Sequence, residues 1–277
     1  MLRTRSILLA LPLIFAAACG ASCPSLPHTN PALALEEHRG TRAGLSSLRA
    51  EARVEQWGSA GRIRGTVMMF IERPDRVRFD AMTQFGPAAI LTSDGDNFAL
   101  TDMRENRFFS GPACSSNIAR LLGIPLSGAE VLNLLVGDTP RLESVNEGIR
   151  CDREGHYVVT RTADDGASQE LAFSITEQTR SLAPEDQELR LVRSEVFSAE
   201  GQTVWRATWA DYREVADPQA PGTPIVLPFR VRFEHLELEA DTEVRFQSIS
   251  PNLAIPEGAF HQDPRPGLPA EHLACTP

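Results

Sequence analysis

From Arg49 to Asp80 the chain alternates polar and apolar side chains with a period of two, and this pattern limits the fold more than any other feature. Ala50, Ala52 and Val54 alternate with Arg49, Glu51, Arg53 and Glu55. Ile63, Gly65, Val67, Met69 and Ile71 alternate with Arg62, Arg64, Thr66, Met68 and Phe70, and Val77, Phe79 and Ala81 with Arg76, Arg78 and Asp80. Residues two apart share one face of a strand, so each segment is predicted as a strand with an apolar face and a face of largely arginine and acid. Further strands, bounded by turn signals, are predicted over 88–93, 96–102, 105–109, 155–162, 169–175, 188–197, 203–213, 225–235 and 242–249. So many sequential strands with short turns imply an antiparallel meander curled into a barrel or half-barrel, and they argue against a parallel α/β fold.

Two helices are predicted inside this pattern, in "SSNIARLLGIPLSGAEVLNLLVGDTP", residues 115–140. Ser115 or Ser116 is placed to cap the first, whose Ile118, Leu121 and Leu122 share a face until Gly123 and Pro125 stop it. The second opens with Ser127 and Glu130 spaced as a capping box and ends at Gly137. Val131, Leu132, Leu134, Leu135 and Val136 make it apolar around most of its circumference, so burial on more than one side is expected. The pair is either a plug or lid over a concave sheet or a simple completion of the core. A third, short helix is predicted at 41–48, weakened by Gly40 and Gly44.

The N-terminus carries Arg3 and Arg5 before an apolar stretch from Ile7 to Ala18, the length of a signal-peptide core and short of the roughly 20 residues that span a bilayer. Export is expected. Two cysteines follow in "AAACGASC", a spacing open to a redox pair, a metal clip or a processing site. Ala16-Ala17-Ala18-Cys19 resembles the bacterial lipobox, L-[AS]-[GA]-C, with Ala16 where leucine is usual. That resemblance implies cleavage before Cys19 and acylation of it, several acyl chains being enough for stable anchoring. Gly20, in place of the aspartate many inner-membrane lipoproteins carry, favours the outer membrane by the same resemblance. Cys23, Cys114, Cys151 and Cys275 remain as disulfide candidates, with three connectivities open.

A net charge of −10 excludes a phosphate-binding surface of the nucleic-acid type, and all 27 basic residues are arginine, which excludes lysine Schiff-base chemistry. Neither a G-x-S-x-G elbow nor an H-E-x-x-H motif occurs. His235 stands alone in a predicted strand, and Asp94-Gly95-Asp96, with a calcium-like look, reads first as a hairpin turn. No catalytic residue, metal site or cofactor is expected.

The order of parts resembles the LolA/LolB lipoprotein-carrier superfamily, most closely its LolB-like outer-membrane lipoproteins. The resemblance is carried by the lipobox, the strand at 62–72, "FDAMTQFGPAAILTSDG" as strand, loop and strand, and the helical "LLGIPLSGAEVLNLLVGDTP". It implies an unclosed antiparallel half-barrel whose helices cover an apolar cavity for acyl chains of other lipoproteins. Met69, Ile118, Leu121, Leu122, Val131, Leu132 and Leu135 would line that cavity, with Met68 and Met82 as further adaptable linings. Phe85 stands where LolB-like members carry a protruding leucine. The expected organisation is a signal peptide (1–18), an anchor and tether (19–40), the half-barrel (41–250) and a proline-rich C-terminal tail (251–277). Expected partners are the outer membrane, through the lipid, and lipoprotein or acyl-chain cargo bound by a monomer. A scaffold lipoprotein of an envelope complex, without lipid transfer, is the rival reading.

Overall fold

A computed structural model describes residues 23–58, 61–256 and 258–276. The predicted signal peptide and Cys19 lie outside the described residues. Among those described, no helix is long and apolar enough to cross a membrane.

The alternating segments become strands β1 (Ser47–Gly58), β2 (Gly61–Glu72) and β3 (Arg76–Thr83), continued by β4 (Gly86–Ser93), β5 (Asn97–Asp102) and β6 (Arg107–Pro112). After two helices come β7 (Asn146–Cys151), β8 (Tyr157–Thr162), β9 (Ser168–Ile175), β10 (Leu189–Phe197), β11 (Thr203–Val215), β12 (Ile225–His235), β13 (Ala240–Pro251) and β14 (Ala270–His272). They form one sheet in the order β14-β6-β5-β4-β3-β2-β1-β13-β12-β11-β10-β9-β8-β7. All neighbours are antiparallel except β14 and β6. The sheet does not close, as expected from the sequence.

Helix α1 (Pro31–Gly40) packs against β7 and β10, while α2 (Ser115–Leu122) and α3 (Gly128–Leu135) lie on the concave face. Helix α3 touches both β3 and β12, which β2, β1 and β13 separate in the sheet. Four strand spacings of about 4.8 Å exceed the roughly 10 Å width of a helix, so the sheet must bend around α3.

The helix predicted at 41–48 is absent. Asn30 caps α1 from the residue before Pro31, accepting the Ala32 and Leu33 N–H groups, and Gly40 ends it, so residues 41–44 form a turn and Ser47 already belongs to β1. The segment expected as a tether therefore contains a helix, and residues 23–28 are held to the sheet end. Tyr157 Oη accepts the His28 N–H at 3.1 Å, and Gln187 Nε2 donates to the Leu26 carbonyl at 2.8 Å. Residues 258–276 run back along β4 to β6, where Gln262 Nε2 donates to the Ile90 carbonyl at 3.0 Å.

The apolar face of β1 to β3 supplies Leu48, Ala50, Ala52, Val54, Val67, Met69, Ile71, Val77 and Phe79 to a single core. The other face consists of arginine-acid ladders. Buried Glu243 receives both Arg230 and Arg245 from flanking positions, and Arg232 pairs with Asp241 at 2.7 Å. These pairs separate the like charges that the register sets opposite one another, Arg230 against Arg245 among them.

Candidate functional site

Helix α3 starts with the predicted capping box. Ser127 Oγ accepts the Glu130 N–H at 3.3 Å and Glu130 Oε2 accepts the Ser127 N–H at 2.9 Å. A Cβ on Gly128 would stand 2.7 Å from the Asp75 carbonyl, so only glycine lets the β2–β3 turn approach this closely. Helix α2 differs from expectation at its start. Its N-cap is Cys114, without a side-chain cap, and Ser116 Oγ instead accepts the Thr276 N–H at 3.2 Å. The Cys114–Cys275 disulfide brings that C-terminal segment there, and the second pair is Cys23–Cys151.

The C-terminal carbonyls of both helices, which have no partner within their own helix, are taken by side chains. Thr242 Oγ1 donates to the Leu122 carbonyl at 2.8 Å, fastening α2 to β13. For α3, Trp209 Nε1 donates to the Leu134 carbonyl at 2.7 Å, Arg42 Nε to that of Val136 at 2.8 Å, and His38 Nε2 lies 3.1 Å from that of Gly137. Burial, followed by the nearby Arg42 charge, pushes His38 down to about 3, so it is neutral. His38 Nδ1 lies 3.3 Å from both Arg42 Nη1 and the Leu189 carbonyl, so the neutral ring joins the end of α3 to α1 and β10. Sequence reasoning missed all four fastenings, because their donors lie far from the helices in the chain.

Between these helices and the sheet sit Met69, Ile118, Leu122, Val131, Leu132 and Leu135, none more than 3% exposed, with Leu121 packed against them half-buried. The structure thus brings together seven of the nominated residues, but in contact with each other instead of around an open cavity. The crevice lined by Leu45, Leu48, Ile71, Leu132 and Val136 has no room for a water molecule. Met68 and Met82 are half-buried and lie outside this core. Two short helices, α2 amphipathic and α3 strongly apolar, pack into the concavity that they cover.

Phe85 is 91% exposed at the tip of the β3–β4 hairpin. Thr83 Oγ1 donates to the Gly86 carbonyl at 2.7 Å and accepts the Phe85 N–H at 3.2 Å, and this tight turn directs the ring away from the sheet. The β1–β2 and β12–β13 hairpins turn at the same sheet end, where Ile63, Leu236 and Leu238 are also exposed. Periodicity within each strand did not reveal that these tips share an end.

No family model and no curated protein matches the sequence. Solved structures do match in shape. A DUF1329 family protein from Desulfovibrio piger matches with a TM-score of 0.52 at 10% identity, over 83% of this chain and 95% of that one. A LolA superfamily protein from Nitrosomonas europaea matches with a TM-score of 0.49 at 12% identity, over 85% of this chain and 99% of that one. At 10% identity, the likeness to the DUF1329 family protein is one of fold alone.

Two other clusters in this fold are explained by turn chemistry. Asp152, Glu154 and His156 bring ligand atoms within 4.8 Å of one another. There Asp152 Oδ1 already accepts the Glu154 and His156 N–H groups, both at 2.9 Å, as a hairpin turn requires. Asp94 likewise accepts the N–H groups of Asp96 and Asn97 at 3.0 and 2.7 Å, giving the hairpin expected of Asp94-Gly95-Asp96. His235 is half-buried at the end of β12.

Proposed function

We propose that this chain is a lipid-anchored envelope protein that binds acyl chains or lipoproteins on the apolar face shared by α2, α3 and the concave sheet, and assists their delivery to the outer membrane. The observation that carries the reading is the cover of two eight-residue helices over one continuous apolar face. Cargo enters by lifting this cover. An acyl chain of about sixteen carbons gains roughly 0.8 kcal/mol per buried methylene, about 12 kcal/mol in all, well above the roughly 4 kcal/mol net of the four fastening hydrogen bonds together. The larger opposing quantity is the apolar surface of the helices themselves, so they must stay against the bound chain. Acylated Cys19 would hold the protein at the membrane, and exposed Phe85 would meet the membrane or the cargo.

The tight crevice beneath α3, without room for a water molecule, and the exposed tips Ile63, Phe85, Leu236 and Leu238 favour the second reading, a scaffold lipoprotein whose apolar tips engage a protein partner. Titration of the chain from Gly20 onward with a fluorescent fatty acid separates the two. Saturable one-to-one binding supports the carrier. Absence of binding, with one stoichiometric protein captured by the same chain, overturns it in favour of the scaffold.

A further inference from the structure

At the sheet end opposite Phe85, a cleft of about 470 Å3 opens between the end of α1, the β2–β3 turn and the segment after α3. Four arginines line it, Arg39, Arg42, Arg73 and Arg141, against one carboxylate, Asp138, leaving a surplus of three positive charges. In a chain of net charge −10, whose outer-face arginines are mostly paired with acids, this local surplus stands apart.

The guanidinium contacts show how little of that charge is neutralised. Arg73 donates from Nε to the Leu45 carbonyl at 2.8 Å and from Nη1 to Asn133 Oδ1 at 3.4 Å, both neutral acceptors. Arg42, 4% exposed on the floor of the cleft, also spends its donors on neutral groups, among them the Val136 and His38 carbonyls. Arg39 has no ion-pair partner among the described residues. Asp138 Oδ1 accepts the Thr139 N–H at 2.9 Å and reaches Arg141 Nη2 at 3.4 Å, while Arg141 Nε is buried with no hydrogen-bond partner. A buried, unpaired charged donor is costly to leave as it is, and an anion in the cleft would relieve it. Burial also pulls the pKa values of Arg42 and Arg141 below the ordinary arginine value, outweighing the opposite pull of Asp138.

We propose that this cleft binds a phosphate group, carried on a lipid headgroup or free in solution. Planar guanidinium forks match the tetrahedral oxygens of phosphate, and exposed Arg39 and Arg73 can close over a group seated beside Arg141, with Arg42 adding its charge from the floor of the cleft. The position suits a headgroup, because the Cys23–Cys151 disulfide holds the start of the described chain at this same sheet end. The site itself stands on the arginine geometry and does not depend on acyl-chain binding.

The test uses the chain from Gly20 onward, which contains every described element, at low ionic strength. Inorganic phosphate is titrated by calorimetry, and co-sedimentation is measured with phosphatidylcholine vesicles with and without phosphatidylglycerol. The paired variant Arg39→Gln/Arg73→Gln is compared with Arg206→Gln on the outer face, all three proteins being checked for equal melting temperature. Binding of inorganic phosphate that the paired variant weakens about tenfold or more, with Arg206→Gln unchanged, identifies a free-phosphate site. Phosphatidylglycerol-dependent sedimentation with the same variant pattern, without binding of inorganic phosphate, identifies a headgroup site. Binding of neither, or equal loss in Arg206→Gln, overturns the proposal.

Discussion

The indole of Trp209 donates its Nε1–H to the carbonyl oxygen of Leu134 at 2.7 Å, joining the middle of β11 to the last turn of α3. Trp209→Phe keeps most of the buried ring and removes only the donor, leaving the Leu134 carbonyl with the longer Gly137 N–H contact at 3.3 Å. A loss of about 0.5–1.5 kcal/mol, the net worth of one hydrogen bond, is expected in urea unfolding. If α3 is the cover over the acyl site, this variant also takes up a fluorescent fatty acid faster than the parent protein. Thr242→Val, which frees the Leu122 carbonyl, should have the same double effect through α2.

His38 gives the fold a pH dependence of definite sign. Its pKa falls from 6.5 to about 3 on folding, so between these values the unfolded chain carries a proton that the folded chain does not. Stability is therefore full above about pH 6.5 and falls on acidification, by up to about 1.4 kcal/mol per pH unit. His28, also lowered by burial, acts in the same direction. Urea midpoints measured at about pH 7 and pH 4 should show the fall, and a His38→Gln variant should show a shallower one.

Removing the Cys114–Cys275 bond as a double alanine variant opens a closure of 161 residues and is expected to cost about 2–5 kcal/mol. The local effect should appear at β14, whose parallel pairing with β6 spans only Ala270 to His272. Faster hydrogen exchange of the Phe108 and Leu273 amides, which donate to Pro269 and Ser110, would report it.

Phe85→Asp should leave stability within about 0.5 kcal/mol, because the ring is 91% exposed. Under the carrier reading the same change lowers transfer of a lipoprotein to vesicles. Unchanged transfer would remove the role assigned to this ring.

The sheet was legible because its strands are amphipathic, and so were both short helices, because a capping box and an apolar helical spacing are local signals. Strand β7, "NEGIRC", was not predicted. It is an edge strand whose residues are exposed or half-buried, so it has little apolar alternation to show. The helix predicted at 41–48 failed for a different reason: the true start signal, Asn30 before Pro31, lies a full helix upstream. The apolar partners of the candidate site were visible as residue types. Their tight closure was not, because filling a concavity depends on how far the sheet curves, which no single segment encodes. The arginine cleft gathers residues from three separated stretches, each unremarkable alone.

The two disulfides also constrain how the protein matures. In chain order the four disulfide-bonded cysteines run 23, 114, 151, 275, and the bonds join the first of these to the third and the second to the fourth. The pairing is interleaved. An oxidant that couples cysteines as they emerge during export would join Cys23 to Cys114, a bond absent from the folded protein. Reaching the native pattern then requires either a delay in oxidation until β7 has formed, or thiol exchange that moves Cys23 from one partner to the other. Production in a compartment that can oxidise but not reshuffle should yield a mixture, in proportion to how often the chain is oxidised before its last third has been made.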